Sequence, residues 1–401
     1  ARVFEADTLT VYAGFIDALS HAAVPDPDDD SDQGPVDDRS NPSYERAGIR
    51  TDRDVRDQVV HDDKSVAAHR KIGFTTVHAA PRGRMLPGRT AVLLLAGDNV
   101  GEMTLRTDQA QMFQFTGASG VYPGTPMGIM AQMRQLFREA DRRMQVEAMY
   151  EQNPAGMSRP PSDAVHDALF PVIGREQPVF VFTDDVLEIH RALDLAGELD
   201  FDMVLAGAYE GFDAVDQIVA AGVPVALTVE LPDEPDWMDD IKQDSLQYLI
   251  DNYDPDTRTA TWRDIEAEKH NLEAKQLLAR REYLGSPARF ADAGIPFAFA
   301  TKDVDAGDVL DNIREFVKNG LSKDDALAAL TVNGAAVLGL SASMGSVERG
   351  KMANLVVSDG DLFEEDSHVR MVVVDGRIFE ISQKNGGRGG REANGETAGR
   401  N

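Results

Sequence analysis

Along most of this chain, short apolar runs alternate with longer stretches of helical period. Phe15-Ile-Asp-Ala-Leu19 reads as a buried strand, and Thr75-Thr-Val-His-Ala79, Ala91-Val-Leu-Leu-Leu95 and Met103-Thr-Leu105 follow as strand candidates, each punctuated by glycine or proline. Between Pro126 and Gln152, methionines, Leu136 and Phe137 recur at helical spacing, which predicts a helix packed on a core. A regular alternation then begins. Strands over 178–183, 201–206, 224–229 and 297–301 are separated by helical patterns over 185–199, 211–221, 266–283 and 305–319. Strands of five or six residues separated by helices of ten or more are the repeat of a parallel sheet, and this many units favour a closed barrel over an open sheet.

After a further helix beyond Lys323 the grammar changes to strands without helices. Asn354-Leu-Val-Val357 and Val369–Val374 are followed by the reverse-turn pair Asp375-Gly376 and by Arg377–Ile381. The pattern predicts an α/β chain: a closed or nearly closed barrel, followed by strands over 341–381 that need a partner sheet, with residues 1–12 as a short polar-apolar lead-in. Two segments break the alternation. Asp26 to Asp63 is crowded with aspartate, arginine, proline and serine and reads as an irregular acidic excursion of the barrel, and 382–401 is glycine-rich and reads as a flexible tail.

Composition narrows the chemistry. There is no cysteine, which removes disulfides and thiolate metal sites. The formal charge is −29, from 69 acidic and 40 basic residues, and this argues against a nucleic-acid partner. Aspartate outnumbers glutamate 46 to 23, a bias that resembles proteins of salt-loving organisms, in which concentrated salt screens the self-repulsion of such a surface. No run approaches the ~18 apolar residues of a membrane span. Ala1 opens the chain, so both a cytoplasmic and an exported location stay open.

Four stretches resemble the metal-dependent amidohydrolase superfamily, particularly its imidazolonepropionase-like branch. They are Ala13-Gly-Phe-Ile-Asp-Ala-Leu-Ser-His21; Gly73-Phe-Thr-Thr-Val-His78 with Pro81-Arg-Gly83; Ala326-Leu-Ala-Ala-Leu-Thr-Val-Asn333; and Gly345-Ser-Val-Glu-Arg-Gly-Lys-Met-Ala-Asn-Leu-Val-Val357. The resemblance implies a TIM-like (β/α)8 barrel over 13–340 with its site at the C-terminal ends of the strands, and a small β-sandwich over 341–381 that is built from both chain ends, residues 1–12 being the lead-in to that composite module. Because the chain starts almost at the first barrel strand, the N-terminal strands of that module are expected to be missing.

The resemblance also implies a metal centre of two histidines on the first strand, a bridging lysine or glutamate, a histidine on each of two later strands and an aspartate on the last. Here the pattern is degenerate. His21 matches the second ligand of the first strand, but Leu19 stands in the first place. Thr183 stands about where a histidine is expected, Leu205-Ala-Gly-Ala208 offers none, and Lys302 occupies the aspartate position unless a one-residue shift makes Asp303 the equivalent. Asp98 and Glu102 are bridging candidates by proximity in sequence. A divergent protein without the standard metal centre is therefore expected, with a structural, regulatory or binding role and no cofactor, and with a homo-oligomer or an active relative as its partner.

The rival is a hydrolase of carbon–nitrogen bonds with one divalent metal such as zinc. It would use His21 and Asp184 as ligands, with Asp303, Lys302 and His78 as catalytic candidates, and His21 and Asp303 would converge on a common metal and water. Arg82, after a strand end, is a candidate for gripping an anionic ligand, although a turn that stabilises the rim explains it equally.

Overall fold

A computed structural model describes residues 9–26, 36–238, 247–248, 250–253 and 265–381. The first eight residues of the lead-in, residues 27–35 of the acidic excursion and the tail over 382–401 lie outside the described residues.

Fourteen strands are described: β1 (Thr10–Ala13), β2 (Phe15–Ser20), β3 (Phe74–Ala79), β4 (Gly88–Arg89), β5 (Ala91–Leu94), β6 (Thr104–Arg106), β7 (Gln111–Gln114), β8 (Val179–Thr183), β9 (Met203–Gly207), β10 (Val225–Thr228), β11 (Phe297–Ala300), β12 (Leu355–Ser358), β13 (Val369–Val374) and β14 (Arg377–Glu380). β7 to β11 run parallel in chain order, as the alternating pattern requires, and β2 pairs parallel with β3. The ring closes where the Thr301 and Lys302 N–H groups both donate to the Leu19 carbonyl, each at 3.0 Å. Every residue of β2, β3, β5, β7, β9, β10 and β11 is buried, as expected of strands covered on both faces.

One member of the ring departs from the (β/α)8 pattern. Residues 88–94 lie between β3 and β7, antiparallel to both through β5 and β4. A parallel return requires a crossover of a dozen or more residues, and only eight separate the end of β3 from the start of β4, so the chain turns back instead. β7, Gln111-Met-Phe-Gln114, has glutamines at both ends and no apolar run to mark it, yet it is fully buried.

The described part of the acidic excursion is irregular but built into the core. Ala47, Ile49, Val55 and Val59 are buried, and Arg50 N–H donates to the Leu86 carbonyl at 2.7 Å. The helix Pro126–Gln152 buries Ile129, Met133, Leu136, Phe137 and Ala140, while Met127 stays exposed. The methionine stripe is thus partly core and partly surface.

The second sheet has the order β1-β12-β13-β14, all antiparallel. The expectation that N-terminal strands are missing needs correction, since β1 pairs with β12 from Thr10–Ser358 to Ala13–Leu355. Thr-Val-Tyr-Ala was too short a segment to stand out by alternation. Asp375 and Gly376 take φ of 47° and 78°, the two left-handed residues that a tight hairpin between β13 and β14 demands. Among the described residues, no helix is long and apolar enough to cross a membrane.

Candidate active site at the barrel mouth

β2, β3, β8, β10 and β11 deliver side chains to a cavity of about 410 Å³ whose walls include His21, Arg82, Phe182, Asp184, Glu230, Lys302 and Asp303. Its centre is a compact ion cluster. His21 Nδ1 donates to Asp303 Oδ1 at 3.0 Å, and Lys302 Nζ donates to Asp303 Oδ2. The same ammonium lies 3.8 Å from the centroid of the Phe182 ring, so it is held by a carboxylate and by an aromatic face at once. Asp303 has φ of 66°, and this left-handed turn aims its carboxylate back at His21 and Lys302.

The electrostatics follow from these contacts. Burial pushes the Asp303 carboxyl up, but the His21 hydrogen bond and the Lys302 charge outweigh it and hold the group well below the usual carboxylate range. Burial lowers His21 below the ordinary histidine value, and Asp303 opposes this. Asp184 and Glu230 face the cavity without an ion pair among the described residues. Desolvation by the cavity walls pushes both carboxyls up; repulsion from Asp303 adds to each, and Lys302 opposes it.

The structure therefore brings five of the candidates, His21, Arg82, Asp184, Lys302 and Asp303, to one cavity. Arg82 does not present a free fork there. Its Nε donates to the Val24 carbonyl at 2.8 Å and its Nη1 lies 2.8 Å from Asp26 Oδ1, so the rim-stabilising reading accounts for both contacts.

His78 does not reach the cavity wall. It is fully buried within the barrel, with Nδ1 donating to the Ala18 carbonyl at 2.9 Å and Nε2 at 2.7 Å from Thr90 Oγ1, and its ring packs edge-on against Phe180. Burial lowers it to about 4, opposed by the Ala18 contact, so it is a neutral, satisfied core residue at neutral pH. Asp98 and Glu102 do not line the cavity, and both pair with Arg377 of β14.

These residues do not fit the metal centre that the fold implies. Leu19 is fully buried, and the Thr183 hydroxyl donates to the Ala206 carbonyl. Gly207 has φ of 76°, and a Cβ there would come within 2.6 Å of the Thr183 carbonyl oxygen, so β9 has no room for a longer side chain at that point without a shift of backbone. Among the described residues, no group of three or more histidine, aspartate or glutamate side chains is arranged to hold a metal ion. His21 and Asp303 do converge, as the hydrolase reading requires, but on each other and on the Lys302 ammonium.

The sequence reading missed Phe182 and Glu230. Both sit at or just beyond strand ends, which was their available signal. A buried cluster beneath the mouth was also missed, in which Asp17, Thr301, Ser20 and His69 are joined by hydrogen bonds.

Residues 276–379 match the model of the amidohydrolase family. Over 106 residues the chain is 36% identical to the imidazolonepropionase of Flavobacterium johnsoniae, a stretch that covers 24% of this chain and 26% of that enzyme. The match thus spans about a quarter of that relative. An amidohydrolase from Thermotoga maritima superposes with a TM-score of 0.71 at 19% identity, covering 92% of this chain and 87% of that one, and so has the same fold.

Proposed function

We propose that this chain of amidohydrolase-superfamily fold is a non-hydrolytic member with a structural, regulatory or binding role, derived from the imidazolonepropionase-like branch. The observation that carries the reading is the Lys302 ammonium. It is fixed between Asp303 and the Phe182 ring at the end of β11, where the resembling enzymes keep an aspartate beside a metal. A fixed ammonium repels a divalent cation, and the neighbouring positions Leu19, Thr183 and Gly207 supply no compensating donor.

Within this reading His21, Lys302 and Asp303 form a self-neutralised ion cluster at the mouth, and Asp184 and Glu230 remain as the polar groups open to a ligand. The division at about residue 340 into barrel and small β-sheet, assembly with an active relative, and an origin in concentrated salt belong to the same proposal. The last rests on composition alone.

The surviving His21–Asp303 contact favours a second reading, in which the pair is a general acid–base remnant of a carbon–nitrogen hydrolase. A hydrolysis screen over cyclic amides, N-acyl amino acids and dipeptides, with zinc and manganese each added in excess, separates the two. The proposal predicts the same background rates for the wild type and Asp303→Asn. Turnover by the wild type that Asp303→Asn abolishes would establish the hydrolase instead.

A further inference from the structure

A second cavity, of about 780 Å³, opens beside the helix Lys64–Lys71 and shares His21, Arg82 and Asp303 with the barrel mouth. Its floor includes Ser20, His69 and Thr301, and behind them lies Asp17, fully buried. The hydrogen bonds of these four residues can be assigned proton by proton.

Asp17 Oδ1 accepts the N–H groups of Leu19 at 3.2 Å and Thr301 at 3.1 Å, and Oδ2 accepts the Thr301 hydroxyl at 2.5 Å. Burial pushes the Asp17 carboxyl up, while the neighbouring His69 ring and these three donors favour its ionised form. With Asp17 ionised, the one hydroxyl proton of Thr301 goes to its carboxylate. The other two groups near Thr301 Oγ1, Ser20 Oγ at 3.0 Å and His69 Nε2 at 3.1 Å, must then donate to it. Ser20 can do so, since its oxygen accepts the Ala22 N–H and its own proton is free to point at Thr301. His69 Nδ1 lies 2.9 Å from the Ser65 carbonyl oxygen, which can only accept, so that nitrogen also carries a proton.

The geometry points to a buried imidazolium at His69 which, with the Asp17 carboxylate and the Thr301 hydroxyl between them, forms a neutral clamp that positions the Lys302–Asp303 turn. His69 Nε2 and Asp17 Oδ2 are 4.0 Å apart, and both side chains are almost completely buried. Asp17 is the sole ion-pair partner of His69 among the described residues; Lys64 and Lys71 on its own helix, and Asp26, Arg82, Asp303 and Asp305 across the cavity, are the other charges around it. Thr301 immediately precedes Lys302, and the N–H groups of both bond to the Leu19 carbonyl, so the clamp fixes the backbone that carries the ion cluster of the mouth. His69, Thr301 and Asp17 are positioning residues. The clamp belongs to the protein's own charge network, whether or not the mouth binds a ligand.

Nitrogen-15 NMR of full-length protein labelled in histidine tests the inference at pH 7, with His69 assigned by the loss of its signals in His69→Gln. The expected result is a ring with two one-bond N–H couplings; a folded wild type whose His69 ring carries a single N–H overturns the imidazolium. Amide hydrogen exchange tests the positioning. Thr301→Val should accelerate exchange of the Lys302 amide at least tenfold more than that of β8 amides, and Thr301→Ser should restore wild-type exchange. Wild-type protection of the Lys302 amide in Thr301→Val overturns the clamp. Should Thr301→Val fail to fold, His69→Gln is read by the same exchange criterion.

Discussion

Replacing Lys302 by Met keeps most of the aliphatic stem and removes the ammonium that faces Asp303 and Phe182. The Lys302 side chain is 8% exposed and that of Asp303 48%, so the pair is buried on one side only. Removing one partner of a fully buried pair costs about 3–5 kcal/mol, and the half-exposed Asp303 reduces this to about 1–2 kcal/mol. Loss of the cation–π contact adds about 0.5–1 kcal/mol, giving roughly 2 kcal/mol at pH 7.

The sign of the pH dependence is fixed by Asp303. Its native carboxyl is held below the usual range, so its contribution is present above the unfolded value of about 3.9 and is lost as pH falls below that. At pH 3 the unfolded carboxyl is largely protonated while the native one stays ionised. This reduces the contribution by roughly 1 kcal/mol before screening and about 0.5 kcal/mol after it. Urea unfolding of the wild type and Lys302→Met at pH 7 and pH 3 measures both quantities. A cost below about 0.5 kcal/mol at pH 7, or one that grows toward pH 3, would refute the claim that Lys302 neutralises Asp303.

Other parts of the structure give independent expectations. His78→Gln should flatten the stability profile between pH 4 and 6.5. The native ring, lowered by burial to about 4, makes the unfolded chain bind more protons in that window, so wild-type stability rises there by about 3 kcal/mol, at ~1.4 kcal/mol per unit. Denaturant titrations across that range check it. Leu19→His puts an imidazole into a fully buried apolar site and should lower stability by about 2–4 kcal/mol, with no recovery of the melting temperature on adding zinc, since the Thr183 and Gly207 positions remain without ligands. Folded fraction measured from dilute to molar salt should rise, because a charge of −29 repels itself least when screened, and a flat profile would remove the salt-loving reading.

The barrel was legible because its parallel strands are short, apolar runs set between helical periods, and burial on both faces leaves that signature. β8 through β11 were each foreseen to within about two residues at either end. β7 was hidden because two of its four buried residues are glutamines, whose side-chain N–H groups donate to backbone carbonyls such as those of Thr51 and Gly83 that only the folded chain brings near. The direction of residues 88–94 was hidden for a related reason, since strand signals carry no polarity. In the site, Leu19, His21 and Lys302 could be read from the motif, and the structure unites His21, Lys302 and Asp303. What sequence could not supply was partnership. Nothing in the run of residues links Asp17 to His69, which lies on a helix, or to Thr301, 284 positions away. Nor did the motif reveal that His78, in a family-like stretch, is satisfied by Ala18 and Thr90 inside the barrel.

In the proposed reading, a fixed lysine ammonium holds the position of a metal's charge at the mouth of this barrel. Elemental analysis of protein purified without chelator or added metal, at a salt concentration that keeps it folded, tests it most directly. Zinc, manganese, nickel and iron are all expected far below one equivalent in folded protein; a near-stoichiometric amount of any of them, retained by the wild type and lost in His21→Ala, would show a working metal site instead.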